Sequence, residues 1–369
     1  MKSATSEGTR KYLVAMGHRG IPEGHFREVH GLWLSSIGLG TYLGDLSEET
    51  DELYRQAVEQ ALASGCNVID TAINYRHQRS ERNIGEALKT LAGKGFDREQ
   101  IIIATKGGFV PFDGAADSDP RDLLEKGYFE TEILDPADVA GDCHAMTPRF
   151  LENQLEKSLA NLGVETIDIY YIHNPETQLL KVDRDEFMKR LRGAFEFLES
   201  AAEAGKIQYY GAATWNAFRQ AARANDYLSL EEIVSLAREV GGDKHRFRFV
   251  QLPYNLASTE ALTTHNQTVQ GNSLSAIVAA DELGLHVFGS ASIAQGRLTQ
   301  GLPDWLGKLL RGCKTDVQRA IQFARSTPGL TTTLVGMKQT KHIDENLAVA
   351  KIPPTPMEDF LKLFEVDKR

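Results

Sequence analysis

At 369 residues the chain exceeds the usual size of one hydrophobic core, but an α/β barrel can hold about 250 residues or more, so one large barrel or two domains fit. With 41% hydrophobic and 25% charged residues, and 12 prolines against 32 glycines, the composition excludes disordered, collagen-like and disulfide-dense classes. A balance of 41 basic against 51 acidic residues, −10 overall, argues against a protein whose main task is gripping nucleic-acid phosphates or anionic lipid.

The opening MKSATSEGTRKYLVAMGHRG has no apolar run long enough for a signal peptide. No later segment reaches the roughly 18 apolar residues of a membrane span. Cys66, Cys143 and Cys313 form no C-x-x-C pair, which suits a reduced compartment, so a cytoplasmic location is expected. In residues 10–30, KYLVAMG and HFREVHG flank the turn formers GIPEG; this predicts a β-hairpin plugging the N-terminal mouth of a barrel.

Short β-branched runs then alternate with segments of helical period, the pattern of βα units around a parallel sheet. Strands are expected at 33–40, 66–72, 100–106, 166–173, 207–214, 246–252, 285–292 and 331–336. Helices are expected at 51–64, 80–93, 148–162, 185–204, 216–224, 229–239, 272–283, 314–326 and 342–350. Eight strands, nearly all followed by a helix, predict an α/β fold of the closed (β/α)8 TIM barrel type, with long loops at the C-terminal face. No composition break marks a boundary. Residues 1–369 therefore read as one barrel domain with the hairpin at 10–30, a long acidic loop at 107–146, a second long loop at 256–271, and a C-terminal helix and tail at 342–369.

Four of these strands end in a polar residue: Asp70, Lys106, His173 and Gln251. In a barrel, strand ends share the face where active sites lie, so Asp70, Lys106 and His173 on neighbouring strands should converge, and Tyr75 can fold back over them. A free phenol is a poor acid near neutrality, but an ammonium beside it lowers its pKa. Lys106 could supply that charge, Asp70 could hold the lysine, and His173 could hydrogen-bond a substrate oxygen. The set suits a carbonyl becoming an alcohol.

The order Asp70-x4-Tyr75, then Lys106, then His173 in IDIYYIHNPE resembles the Asp, Tyr, Lys, His tetrad of the aldo/keto reductase superfamily. GLGT at 38–41, SERNIGEAL at 80–88, GKIQYYG at 205–211, VQLPYN at 250–255, IAQGRL at 293–298 and VGMKQTKHIDEN at 335–346 also look like family segments. The resemblance implies an NADPH-dependent enzyme that reduces a small-molecule aldehyde or ketone, with Tyr75 as general acid. It further implies cofactor contacts from Gly40, Thr41, Thr214, Gln251 and Ser290, from Ile293, Gln295, Gly296 and Arg297 around the pyrophosphate, and from Gly336, Lys338, His342, Glu345 and Asn346 at the adenosine end. Lys338 favours NADP, since an ammonium suits a 2′-phosphate. Trp215 and Asn174 are candidate substrate contacts.

The sequence departs from the family's G-V-S-N-F after strand five, reading Gly211-Ala212-Ala213-Thr214-Trp215, so Thr214 keeps a hydroxyl contact that Ala213 cannot make. Ser290 stands where many members place an aromatic ring, and His342 where an arginine is common. A Rossmann reading of GLGTYLG fails because the third glycine position is Leu43. His18, His25 and His30, and the neighbours Cys143 and His144, lack the spacing of a zinc site, and the histidines read as surface residues, so no metal is expected. Tyr209 and Tyr210 read as packing between barrel and helices. Two alternatives stay open: a Schiff-base lyase using Lys106, and a cofactor-binding regulatory module with slow turnover. Finally, Asp113, Asp117, Asp119, Asp122, Glu125, Glu130, Glu132, Asp135, Asp138 and Asp142 make the 107–146 loop strongly acidic. It is expected to lie over the mouth as a lid that disfavours anionic substrates, leaving a neutral sugar-like carbonyl as the expected partner.

Overall fold

The computed structural model describes residues 3–113, 119–141 and 143–365. Eight parallel strands close into a barrel: β1 (Ile37–Gly40), β2 (Val68–Asp70), β3 (Ile102–Gly107), β4 (Ile167–His173), β5 (Ile207–Ala213), β6 (Phe247–Pro253), β7 (His286–Ser290) and β8 (Leu330–Gly336). Each pairs with the next, and β8 returns to β1 with Gly336 opposite Gly40. The strands are apolar on both faces because both are covered. Val68, Ile102, Ile169, Tyr171, Phe249, Phe288 and Leu334 fill the interior, while Ile69, Ile103, Ile172, Val250 and Val287 pack outward against the helices.

Helices at Glu48–Ala63, Arg79–Leu91, Pro148–Leu162, Arg184–Glu203, Leu230–Gly241, Asp316–Arg325 and Thr340–Leu347 match the expected spans closely. Their starts are set by short polar side chains: Ser47, Thr147, Asp183, Ser229 and Thr315 each accept from an amide of the first turn. Among the described residues, no helix is long and apolar enough to cross a membrane.

Three expectations are corrected. KYLVAMG is helical, within Ser6–Gly17, because Tyr12 and Met16 bury one helical face and Thr5 caps its start. The hairpin comes later, Phe26–Val29 against Leu32–Ser35, turning on His30 and Gly31 with φ of 48° and 80°, so the span 33–40 divides between hairpin and β1. It does close the N-terminal mouth, where Val29, Leu32 and Leu34 join the interior cluster.

Segment 216–224 forms successive turns in place of a helix; Ala217 and Phe218 are buried, and the Phe218 and Gln220 carbonyls that a helix would use internally accept from Asn266 Nδ2 at 2.9 Å and 2.6 Å. Segment 256–271 is not an open loop: a short helix, Glu260–Thr263, precedes His265–Val269, which pairs with Asn272–Ser275 across a Gln270-Gly271 turn. The following helix therefore begins at Ala276.

Candidate active site

The barrel tilt brings the polar strand ends together. Lys106 lies one layer above Ala104, the partner of Asp70, and its Nζ reaches back to Asp70 Oδ1 at 2.6 Å and to the Thr71 carbonyl at 2.7 Å. Gln251 Nε2 donates to the other oxygen, Asp70 Oδ2, at 2.8 Å. The ammonium stands 5.2 Å from the centre of the Tyr75 ring, and that ring meets the His173 imidazole edge-on at 5.9 Å. All four tetrad candidates thus converge.

Tyr75 is aimed by a left-handed turn directly after it, in which Arg76, His77 and Gln78 have φ of 50°, 52° and 67°. Non-glycine residues hold such angles only when their surroundings enforce them. Here the buried Arg76 guanidinium donates to Asp51 Oδ1 at 2.6 Å and to the Asp45 carbonyl at 2.7 Å. Asp51, at the start of the Glu48–Ala63 helix, also binds Arg79 and Asn83. This buried cluster is what fixes the tyrosine loop.

Burial dominates the electrostatics. It raises the Asp70 carboxyl against the pull of Lys106 and Gln251, and lowers Lys106 against the pull of Asp70. It drives the Tyr75 phenol well above its ordinary value, with Asp70, Tyr42 and Tyr54 adding to the rise. The expected lowering by Lys106 is therefore corrected: the ammonium is spent on Asp70. His173 is held well below its usual value by burial, Lys106 and His144, so the imidazole is neutral.

Above the tetrad lies an elongated cleft of about 940 Å³. Asp70, Tyr75, His173, Asn174, Thr214, Trp215 and Gln251 line its barrel end. Gly40, Thr41, Ser290, Ile293, Gln295, Gly296, Gly336, His342, Glu345 and Asn346 line the remainder. Lys106 sits beneath the floor, 1% exposed. Arg297 and Lys338 do not line the cleft: Arg297 is exposed, and the Lys338 ammonium lies beside Gly44.

Sequence reasoning missed Tyr42, Leu43, Asn74, Phe109, Thr299 and Val317 as lining residues. Tyr42 and Leu43 could have been found as large apolar residues following a strand-end glycine loop, whereas Thr299 and Val317 carry no local signal.

The acidic loop, expected to cover the mouth as a lid, reaches the cleft at one described residue. Of the described residues in 107–146, only Phe109 lines the cleft; Asp117 and Asp142 lie outside the described residues. Tyr128, Leu134, Phe112, Phe129 and Ile133 instead pack with Phe150 of the neighbouring helix, because the acidic loop carries its own apolar core. Nor are all the histidines at the surface. His25 and His144 are fully buried, while His18 and His30 are exposed. Tyr210 packs between barrel and helix against Phe195 and Phe247, but Tyr209 stacks on His30 at the barrel floor.

Fold and cleft define a (β/α)8 barrel protein with a buried ionisable cluster at the C-terminal rim. Residues 36–304 match the aldo/keto reductase family, and the chain belongs to that family. It is 29% identical over 189 residues to the NADH-specific methylglyoxal reductase of Escherichia coli, covering 50% of this chain and 49% of that protein. It is 30% identical to the aldo-keto reductase YhdN of Bacillus subtilis, covering 50% and 45%. The matched region thus spans about half the length of these curated relatives. Among solved structures, glycerol dehydrogenase AKR11B4 from Gluconobacter oxydans superposes with a TM-score of 0.65 at 19% identity, covering 93% of this chain and 94% of that one. Aldo-keto reductase AKR11C1 from Bacillus halodurans, in its holo form, gives 0.62 at 17%, covering 92% and 95%. At these identities the structural likeness speaks for the fold.

Proposed function

We propose that the protein is an NADPH-dependent reductase of small aldehydes or ketones, and that Tyr75 is its proton donor. The observation that carries this is the convergence of Asp70, Lys106, Tyr75 and His173 at one end of a cleft large enough for a dinucleotide and a small substrate. The cleft residues fit the cofactor. Thr214 Oγ1 is buried without a partner among the described residues and is free to bond a carboxamide. A Cβ at Gly336, in the cleft wall, would meet nothing within 4 Å and so would fill the space of a ligand.

Bound there, NADPH supplies the hydride that reduces the carbonyl carbon. The protein's own groups do the rest. Neutral His173, with Nδ1 buried and unpartnered among the described residues, holds the substrate carbonyl near Tyr75. The Tyr75 hydroxyl donates its proton to the oxygen as negative charge develops. Lys106 and Asp70 neutralise one another beneath the ring, the ammonium 5.2 Å from its centre, so that no net charge faces the phenol before it gives up its proton. Thr214 and Gln251 orient the carboxamide end, and His342, Glu345 and Asn346 the adenosine end; Lys338, whose ammonium lies beside Gly44, favours a 2′-phosphate once its flexible stem swings toward the cleft.

Lys106, buried in its ion pair, presents no face to substrate for Schiff-base chemistry. At the mouth, Trp215 and Tyr42 offer aromatic faces and Asn74 and Asn174 offer amides. That mixture supports a neutral, sugar-like carbonyl. A fluorescence titration should show NADPH binding more tightly than NADH, and a panel of sugar, aryl and keto-acid carbonyls should show turnover with neutral substrates preferred. Tight binding with negligible turnover across the panel would replace this reading with a cofactor-binding regulatory module.

A further inference from the structure

His144 sits at a point where the long insertion meets the candidate site. β4 runs one residue past its last pairing with β3, Gly107 opposite Ile172, so the carbonyl of His173 points beyond the end of β3. The His144 imidazole meets it there, Nε2 donating at 2.7 Å. The tautomer is fixed because Gln178 Nε2 donates to His144 Nδ1 at 2.9 Å and to the His144 carbonyl at 2.8 Å, which leaves the proton on Nε2. Gln178 Oε1 in turn accepts from Arg190 at 2.7 Å.

Side chains repeat the link. The Phe109 ring stands 5.0 Å from each imidazole, at 78° to His144 and 90° to His173. The backbone makes room for it: Gly108 has φ +136°, and a Cβ there would lie 2.9 Å from both His144 Nε2 and the His173 carbonyl oxygen. The two arms of the insertion are pinned beside this point, Ala145 N donating to Gly108 O at 2.9 Å and Val110 N to Cys143 O at 2.8 Å.

We propose that His144 is a positioning residue for His173, so that the acidic insertion serves the site as a brace on the end of β4. The proposal rests on the reading of His173 as the group that orients the substrate carbonyl. His144 itself is walled off from the cleft by Phe109 and touches no substrate. Its effect falls on the orientation of a reacting group, hence on kcat, and leaves the cofactor contacts alone.

The test compares His144→Phe, which keeps a ring and removes the donor, with His144→Gln, which restores an amide donor. Gln178→Leu, which frees the imidazole to rotate, serves if the phenylalanine variant does not fold. Measured are kcat and KM for an aldehyde that the wild type reduces, NADPH affinity by fluorescence, and the imidazole 15N signals of His173, identified by their loss in His173→Gln. In His144→Phe, kcat should fall roughly tenfold to 10²-fold at unchanged NADPH affinity, the His173 signals should shift or broaden, and His144→Gln should recover part of the loss. Added to His173→Gln, the phenylalanine change should cost nothing further. Equal losses with and without His173, or unmoved His173 signals, would overturn the proposal. If the wild type binds NADPH yet reduces no carbonyl, the reductase reading fails separately and the His173 signals decide the brace.

Discussion

Tyr75 and His173 are pushed in opposite directions by the same burial, the phenol upward and the imidazole downward. A protonated donor and a neutral imidazole therefore coexist over a wide range. Carbonyl reduction should be level from about pH 6.5 to about pH 9, because neither group titrates between their ordinary values once displaced outward. A pH profile of kcat with a limb near neutrality would point instead to another group. Glu176 is the first to examine, its carboxyl pushed by burial to about 7 and accepting from the Trp215 amide at 2.9 Å. Tyr75→Phe should lower kcat by about 10² while NADPH affinity holds, since the proposed role of the lost hydroxyl is in the proton transfer. Single-turnover kinetics with hydride transfer rate-limiting checks this, and full retention of rate would remove Tyr75 as the acid. Lys106→Met should lower turnover similarly and also destabilise the fold, by about 3 kcal/mol, because Asp70 would remain buried with only Gln251 to hold it.

At the scale of elements, the tyrosine loop depends on one carboxylate at the start of the Glu48–Ala63 helix. Asp51→Ala leaves the Arg76 guanidinium buried without its counter-charge and should cost about 3 kcal/mol or more, with kcat falling as Tyr75 loses its aim. Denaturant unfolding beside kinetics tests both, and an unaltered midpoint would show that the Asp45 carbonyl alone suffices. Nothing in the sequence marks this pair, because Asp51 and Arg76 meet only after a helix and a strand are folded. The eight strands were legible because apolar runs covered on both faces leave a continuous β-branched signature. The strand-end residues Asp70, Lys106 and His173 were legible because a polar residue closing such a run has few places to go. Hairpins were less so: HG and QG turns carry weaker signals than GIPEG, yet His30-Gly31 and Gln270-Gly271 are where the chain reverses. Lys338 was named from its neighbours in sequence, and whether it reaches the cleft depends on side-chain direction, which no pattern encodes.

For the whole molecule, several histidines are held neutral by burial. His144 and His286 are both lowered to about 4, first by desolvation and, for His286, also by His30 and Arg248. An unfolded histidine takes up its proton near 6.5, so the unfolded state gains protons before the folded state does as pH falls. The stabilisation from these groups is complete above about pH 6.5 and is lost down to about pH 4, while the raised carboxyl of Glu176 works in the opposite sense. Melting temperatures across that window should fall for the wild type and fall less steeply for His286→Gln; parallel slopes would exclude His286 as a contributor. The hairpin that stops the lower end of the barrel has a consequence for traffic. With Val29, Leu32 and Leu34 seated among the interior side chains, the lower end is closed to a ligand resting on the tetrad, and among the described residues the cleft above it is the way in and out. A dinucleotide laid along the cleft and a carbonyl compound above it would share that doorway. The dinucleotide should then enter first and depart last, and its release should limit the turnover of a good substrate, visible as a burst of oxidised cofactor in the first cycle.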